Sequence, residues 1–188
     1  MKTLSTLDPR APLVLDTREL GRRPGSQREV SRTAPAPADL GIEVLSVVEG
    51  SPVELDLRLE AVMEGVLVTG TAHADLVGEC VRCLEPLHDE IDVDLQDLFV
   101  YADKHDQRAP DDDDQDVRVL EDDVLDLEPL LRDAVVLALP FQPLCRDDCP
   151  GLCPDCGARL ADDPEHHHED PIDPRWAGLT ALAEPEKP

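Results

Sequence analysis

"SPVELDLRLEAVMEGVLVTGTAHADLV", residues 51–77, decides the fold. In its first half Val53, Leu55, Leu57, Leu59 and Ala61 alternate with Glu54, Asp56, Arg58 and Glu60. Successive side chains of a strand point to opposite faces, so this period of two predicts a half-buried strand in an antiparallel sheet. Glu64-Gly65 supplies a tight turn, after which Val66, Val68, Ala72, Ala74 and Leu76 resume the apolar face. The whole stretch therefore reads as a β-hairpin.

Moving outward, "EIDVDLQDLFVYAD" (90–103) sets Ile91, Val93 and Leu95 between Asp92, Asp94 and Gln96, a further strand. Cys80 and Cys83 then fall on a turn between strands. Upstream, "IEVLSVV" (42–48) and "LVLDTREL" (13–20) each read as a strand, and the Gly- and Pro-rich segment between them (21–41) as a mobile or extended arm. "APDDDDQDVRVLEDD" (109–123) has no apolar period and reads as a solvated, disordered loop. A helix is predicted over 127–139, capped by Asp126, tolerating Pro129 in its first turn and stopped by Pro140. Its stripe of Leu127, Leu130, Leu131, Ala134, Val135 and Ala138 should cross the sheet. Asp173 and Pro174 can start a short last helix presenting Trp176 and Leu179.

The expectation is an α+β fold, with an antiparallel β-sheet core of roughly five strands, a packing helix and a zinc-stapled C-terminal segment. Residues 1–40 form an N-terminal strand and mobile basic arm. Residues 41–140 form the sheet and helix with an acidic loop at 104–123, and 141–188 a Cys/His-rich zinc-binding tail. With 188 residues the chain has room for one sizeable domain and a small satellite.

The net charge of -26 repels polyanions and disfavours a broad grip on naked nucleic acid; basic proteins or cations fit better. Residues 1–32 differ, with seven basic and four acidic groups (+3), against ten basic and 39 acidic (-29) in the rest. Arg18, Arg22, Arg23, Arg28 and Arg32 are thus the candidates for local RNA contact. There is no 18-residue apolar run and no signal-peptide pattern, which implies a cytoplasmic protein without membrane contact. In that reducing compartment six cysteines point to metal rather than disulfides.

Cys80-Val-Arg-Cys83 and Cys153-Pro-Asp-Cys156 are CxxC pairs, whose backbone turn aims two thiolates at one point; Cys145 and Cys149 form a third pair. Gly157 follows the last pair, where such turns favour a residue free in φ. Six thiols exceed one tetrahedron, and three divisions are open. Cys80, Cys83, Cys145 and Cys149 can share one zinc while Cys153 and Cys156 join two of His166, His167 and His168, for which His166 and His168 are chosen. Alternatively Cys80, Cys83, Cys153 and Cys156 form the site, or Cys145, Cys149, Cys153 and Cys156 do. The first is narrowly preferred, and one or two structural zinc ions are expected. Four protein ligands leave no open position for water, and no phosphate-binding glycine loop, nucleophile elbow or HExxH motif is present, so an enzyme is not expected. His73 and His88 read as ordinary surface residues. The rival to a structural role is a redox- or zinc-responsive module, with thiolates near Arg82 and Arg146 reacting when metal-free.

"GECVRCLEPL" (78–87), "LLRDAVVLALPFQPLC" (130–145) and "CRDDCPGLCPDCGARL" (145–160), in that order, resemble the YceD family of large ribosomal RNA subunit accumulation proteins. The arm at 13–26 and the tail at 166–182 are similar to its actinobacterial branch. The resemblance implies a non-enzymatic role in 23S ribosomal RNA accumulation and large-subunit biogenesis, with large-subunit assembly intermediates as partners. Where many members carry a further CxC, this chain has "ARLADDPEHHH" (158–168), so a second site draws on its histidines. Together with the charge, this suggests an acidic body that docks or shields a basic ribosomal protein, with RNA touched only locally.

Overall fold

The computed structural model describes residues 7–105 and 117–168. In chain order the elements are β1 (Val14–Asp16), β2 (Gln27–Pro35), β3 (Leu40–Ile42), β4 (Leu45–Val47), β5 (Pro52–Ala61), β6 (Gly65–Glu79), β7 (Pro86–Tyr101), α1 (Ala102–His105), β8 (Val119–Leu120), β9 (Val124–Asp126) and α2 (Glu128–Ala138). Mostly antiparallel sheet with two short helices, this is the α+β class expected.

The hairpin lies at the centre. β5 and β6 pair antiparallel from Val53↔Ala74 to Ala61↔Val66, and β7 lines the other side of β6 along its whole length. Because β6 is longer than β5, its far end is free to pair with β4, which pairs in turn with β3. The alternation fixes the faces: Val53, Leu55, Leu57, Leu59 and Ala61 are buried, while Glu54, Asp56 and Arg58 are exposed. Gly70 falls on the buried face between Leu57 and Leu95, where a Cβ would lie 2.1 Å from the Asp56 carbonyl oxygen. Glycine is required there by the closeness of the β5 backbone.

Helix α2 packs on β7 and β3 through buried Leu130, Leu131 and Val135. The Asp126 carboxylate accepts the Glu128 N–H at 2.9 Å at the helix start. Ala138, expected in the stripe, is exposed, and Leu139 is buried in its place because the chain leaves helical geometry there. Strands β1 and β9 form a separate two-stranded sheet whose Leu15 and Leu125 join the same core as β5 and β6. One face of the main sheet is therefore covered, and among the described residues the other is open.

Three segments differ from expectation. Residues 27–35, expected within a mobile arm, form β2 and pair residue by residue with β5. The period was masked because the inner positions opposite Leu59, Leu57, Leu55 and Val53 are Arg28, Val30, Arg32 and Ala34, two of them charged. The segment 42–48 is split, since the chain turns between β3 and β4. In the acidic segment, 106–116 lies outside the described residues, but 119–126 is ordered. β8 pairs parallel with β7, Leu120 is buried, and Asp122 and Asp123 make the turn to β9 with φ of 51° and 62°. Aspartate visits this left-handed region more readily than most residues. The helix expected from Asp173, with Trp176 and Leu179, also lies outside the described residues.

Candidate metal centres

Two turns of the same design position four of the thiols. In the first, the Leu84 N–H donates to the Cys80 carbonyl and the Cys80 N–H to the Glu85 carbonyl, both at 2.8 Å. In the second, the Gly157 N–H donates to the Cys153 carbonyl at 2.9 Å and the Cys153 N–H to the Ala158 carbonyl at 2.7 Å. Each turn needs a left-handed residue four positions after its leading cysteine, with φ of 58° at Leu84 and 74° at Gly157. Glycine adopts it freely, whereas leucine is strained. The first turn is held from outside: Val81 N–H donates to the Pro143 carbonyl at 3.0 Å, Arg82 Nη1 to the Cys149 carbonyl at 2.9 Å, and Leu152 N–H to the Arg82 carbonyl at 3.1 Å.

These contacts bring Cys80, Cys83, Cys145 and Cys149 together, with all four sulfurs within 4.8 Å of one another. Cys80 Sγ is 3.8 Å from Cys149 Sγ, and Cys83 Sγ is 3.6 Å from Cys145 Sγ. A disulfide needs about 2.05 Å. Sulfurs about 2.3 Å from a tetrahedral ion stand about 3.8 Å apart, which matches. Cys80, Cys83 and Cys149 are buried, with Leu87, Leu144 and Leu152 packed around them. Burial pushes the Cys80 thiol up, but N–H groups of Cys145, Cys83 and Arg82 aimed at it prevail and bring it down to about 6. Cys145 is exposed as a residue, yet desolvation of its thiol, with Cys149, Cys83 and Cys80 adjoining, pushes it up to about 12.

Cys153, Cys156, His166 and His168 form a second group, also within 4.8 Å of one another. Cys156 Sγ lies 3.3 Å from His166 Nε2 and 3.2 Å from His168 Nε2, and the two ring nitrogens are 3.0 Å apart. Nitrogens at about 2.0–2.1 Å from an ion give similar spacings. The N–H groups of Cys156 and Asp155 lower the Cys153 thiol. His167 instead turns its Nδ1 to the Glu165 carbonyl at 2.8 Å. This group is open, with Cys156 and His168 exposed, and all its donors come from a 16-residue stretch. Both groups can hold a metal ion, and they divide the ligands as the first sequence alternative does. Among the described residues neither group mixes Cys80 and Cys83 with Cys153 and Cys156, or joins Cys145 and Cys149 to the latter pair. Replacing Gly157 by valine should cost the second turn about 1–2 kcal/mol. Chelator competition should then show about tenfold weaker metal retention at the second group and none lost at the first.

The arginines are mostly engaged internally. Arg22 pairs with Asp123 at 2.9 Å and Asp103 at 3.1 Å and stacks over the Tyr101 ring at 4.5 Å. Arg18 pairs with Asp16, while Arg28 and Arg32 donate to the Asp16 and Val14 carbonyls. Arg23 alone of the five has an exposed side chain with no ion pair among the described residues. No local pattern signals these contacts, because the acceptors include backbone carbonyls and a residue 101 positions away.

On the open sheet face, His73 Nδ1 lies 3.0 Å from Asp92. The hydrogen bond to Asp92, then the charges of Asp92, Glu90 and Glu54, raise the ring above its ordinary 6.5. Its stabilising contribution is complete below that ordinary value and is lost as pH rises through the raised one. A proton NMR titration should find His73 above 6.5, returning toward that value in Asp92→Asn.

The family described as "Large ribosomal RNA subunit accumulation protein YceD" matches residues 68–183, a span holding both thiol groups. The chain belongs to the YceD family. A Mycobacterium tuberculosis relative, "Uncharacterized protein Rv2926c", is 48% identical over 176 residues, covering 94% of this chain and 84% of the relative. "Uncharacterized protein ML1660" of Mycobacterium leprae is 44% identical over 178 residues, covering 95% and 81%. "Uncharacterized protein YlbN" of Bacillus subtilis is 26% identical over 133 residues, covering 70% and 74%. No solved structure matches the chain. At the level of the YceD family a ribosome-related role follows. Among the described residues no helix is long and apolar enough to cross a membrane.

Proposed function

We propose that this YceD-family chain is a non-enzymatic, cytoplasmic factor for 23S ribosomal RNA accumulation and large-subunit biogenesis, stapled by two structural zinc ions. The observation that carries it is the family match across the span that forms both thiol groups. Cys80, Cys83, Cys145 and Cys149 hold one zinc, and Cys153, Cys156, His166 and His168 the other. With four protein donors each, neither ion activates water; the first joins the 80–85 turn to the tail, and the second closes the tail on itself between 153 and 168. The chain organisation is a sheet-and-helix body to about residue 140 with a metal-bound tail beyond.

The net charge of -26 supports a basic ribosomal protein as direct partner on large-subunit assembly intermediates, with RNA touched locally at most. The exposed side chain of Arg23 supports such a contact better than those of Arg18, Arg22, Arg28 and Arg32. Depleting the protein in its host should lower the ratio of 23S to 16S RNA, and tagged protein should retrieve large-subunit proteins or 23S precursors. Unchanged ratios with neither species retrieved would reject the reading.

The exposure of Cys156 and His168 favours a second reading, a redox- or zinc-responsive interaction module. On this reading mild peroxide releases the second zinc alone as Cys153 and Cys156 join in a disulfide. Thiols and zinc unchanged by peroxide would exclude it.

A further inference from the structure

Strand β2 is the outermost strand beside β5, and its other side carries no partner strand among the described residues. The pairing register shows what that edge presents. Ala61 N–H donates to the Ser26 carbonyl and Ala36 N–H to the Ser51 carbonyl, so even-numbered residues of β2 turn their backbone groups toward β5. In an antiparallel ladder the alternate residues then point theirs away. Gln27, Glu29, Ser31 and Thr33 thus offer N–H and C=O groups to the open edge, and Pro35 a C=O alone. β1 does not close this edge. It lies over the inner face, where Arg28 and Arg32 reach the Asp16 and Val14 carbonyls at 3.4 Å.

The two faces next to this edge carry opposite charge. On the outer face the carboxylates are Glu29 of β2, Glu54 and Asp56 of β5, and Asp92 and Asp94 of β7; Glu29 stands opposite Arg58, Ser31 opposite Asp56 and Thr33 opposite Glu54. Glu29, Glu54, Asp56 and Asp94 have no ion-pair partner among the described residues. Arg58, the cation among them, is paired with Glu60 at 3.0 Å. The inner face instead has Arg28 and Arg32 flanking Val30, with Arg28 paired to Glu19 at 3.3 Å and Arg32 without an ion-pair partner among the described residues. Natural edges are usually blunted by lysines, proline, inward-pointing charges, bulges or cover. This one has Pro35 at its end and Arg28 and Arg32 turned inward, but over 27–33 no other strand among the described residues covers it.

We propose that the open edge of β2 takes up an extended segment of a partner protein as an additional strand, and that this segment carries Lys or Arg at alternate positions. Backbone pairing supplies the affinity and the alternate side chains the selectivity. A strand added beside β2 lies about 5 Å from it and about 10 Å from β5, so its outward cations reach Glu29 directly and extend toward Glu54 and Asp56. Its inward side chains meet Arg32, whose charge has no ion-pair partner among the described residues, and the Arg28–Glu19 pair, so the inner face offers a continuously basic segment no matching carboxylate row. The edge therefore selects a period-two basic pattern over basic charge in general. The inference rests on the biogenesis reading for its setting, since it gives the surface on which a basic ribosomal protein would dock.

The test is calorimetric titration of the purified zinc-loaded full chain with KTKTKTKTK, with its block isomer KKKKKTTTT, and with KTKTKTKTK N-methylated on alternate backbone nitrogens. The alternating peptide should bind at least about tenfold tighter than either control. Ser31→Pro removes one outward N–H and no bond to β5, so it should abolish this preference with zinc content and circular dichroism intact. Glu54→Gln with Asp56→Asn should weaken binding and reduce its salt dependence. Equal binding of the three peptides, or tighter binding of a single-stranded RNA of similar length, overturns the proposal. The methylated peptide leaves the protein unaltered, so the result stands even if Ser31→Pro misfolds. Failure here while depletion still lowers 23S RNA removes the edge and keeps the biogenesis role. Selective binding without any depletion effect supports the edge and removes that role.

Discussion

With two zinc ions bound as proposed, Cys149→Ser should cut bound zinc from about two ions to one per chain and lower stability by about 4 kcal/mol or more, a size that loss of a structural metal reaches. Cys149 is only 2% exposed and meets Cys80 in the buried group. Its removal leaves three thiols desolvated without their cation. The loss also spreads, because the Arg82 guanidinium binds the Cys149 carbonyl and Leu152 binds the Arg82 carbonyl. Elemental analysis with denaturant unfolding reads both effects. Cys156→Ser is the comparison: it should also lose about one ion, but with a small shift in the main unfolding transition, since Cys156 is exposed and its partners are local. Retention of both ions in Cys149→Ser would contradict the assignment.

The second large effect is expected at Gly70. Valine there would set its Cβ about where the Asp56 carbonyl oxygen comes within 2.1 Å and the Leu57 Cα within 2.8 Å. Both are backbone atoms held in the β5 ladder, so no side chain can swing aside. Relief requires β5 and β6 to part where Leu57, Gly70 and Leu95 lie abreast. Overpacking of a core commonly costs 1–3 kcal/mol, and a backbone clash belongs at or above about 3 kcal/mol. Thermal unfolding of Gly70→Val against Gly70→Ala measures it, with alanine the milder of the two. A neutral valine variant would mean that the strands are not so closely apposed.

How much of this was legible depended on whether local pattern or distant contact decided each element. The hairpin could be read because Val53 to Ala61 alternate with charged residues, so burial and sequence period coincide. β2 could not, because Arg28 and Arg32 occupy inward positions and find acceptors on β1, which no local pattern encodes. β8 was hidden for a related reason: Val119 and Leu120 gain their pairing from Val100 and Tyr101 across the acidic segment. CxxC spacing identified the thiol pairs. Which pairs associate was set by tertiary contacts such as Val81 with Pro143, so the spacing left three divisions open. Leu84 illustrates the same limit, since nothing marks a leucine as left-handed until its turn is compared with that of Gly157.

The separation of 69 residues between Cys80 and Cys149 bears on how the protein is made. Synthesis proceeds from the N-terminus, so the hairpin, β7 and α2 emerge before the last thiol of the buried group. A chain interrupted before Cys145 would have its sheet and helix but only half a binding site. It would expose Cys80 and Cys83, which the finished protein buries. On the proposed metal assignment, capture at the buried group therefore waits for completed translation, when the tail that supplies Cys145 and Cys149 locks a sheet assembled earlier.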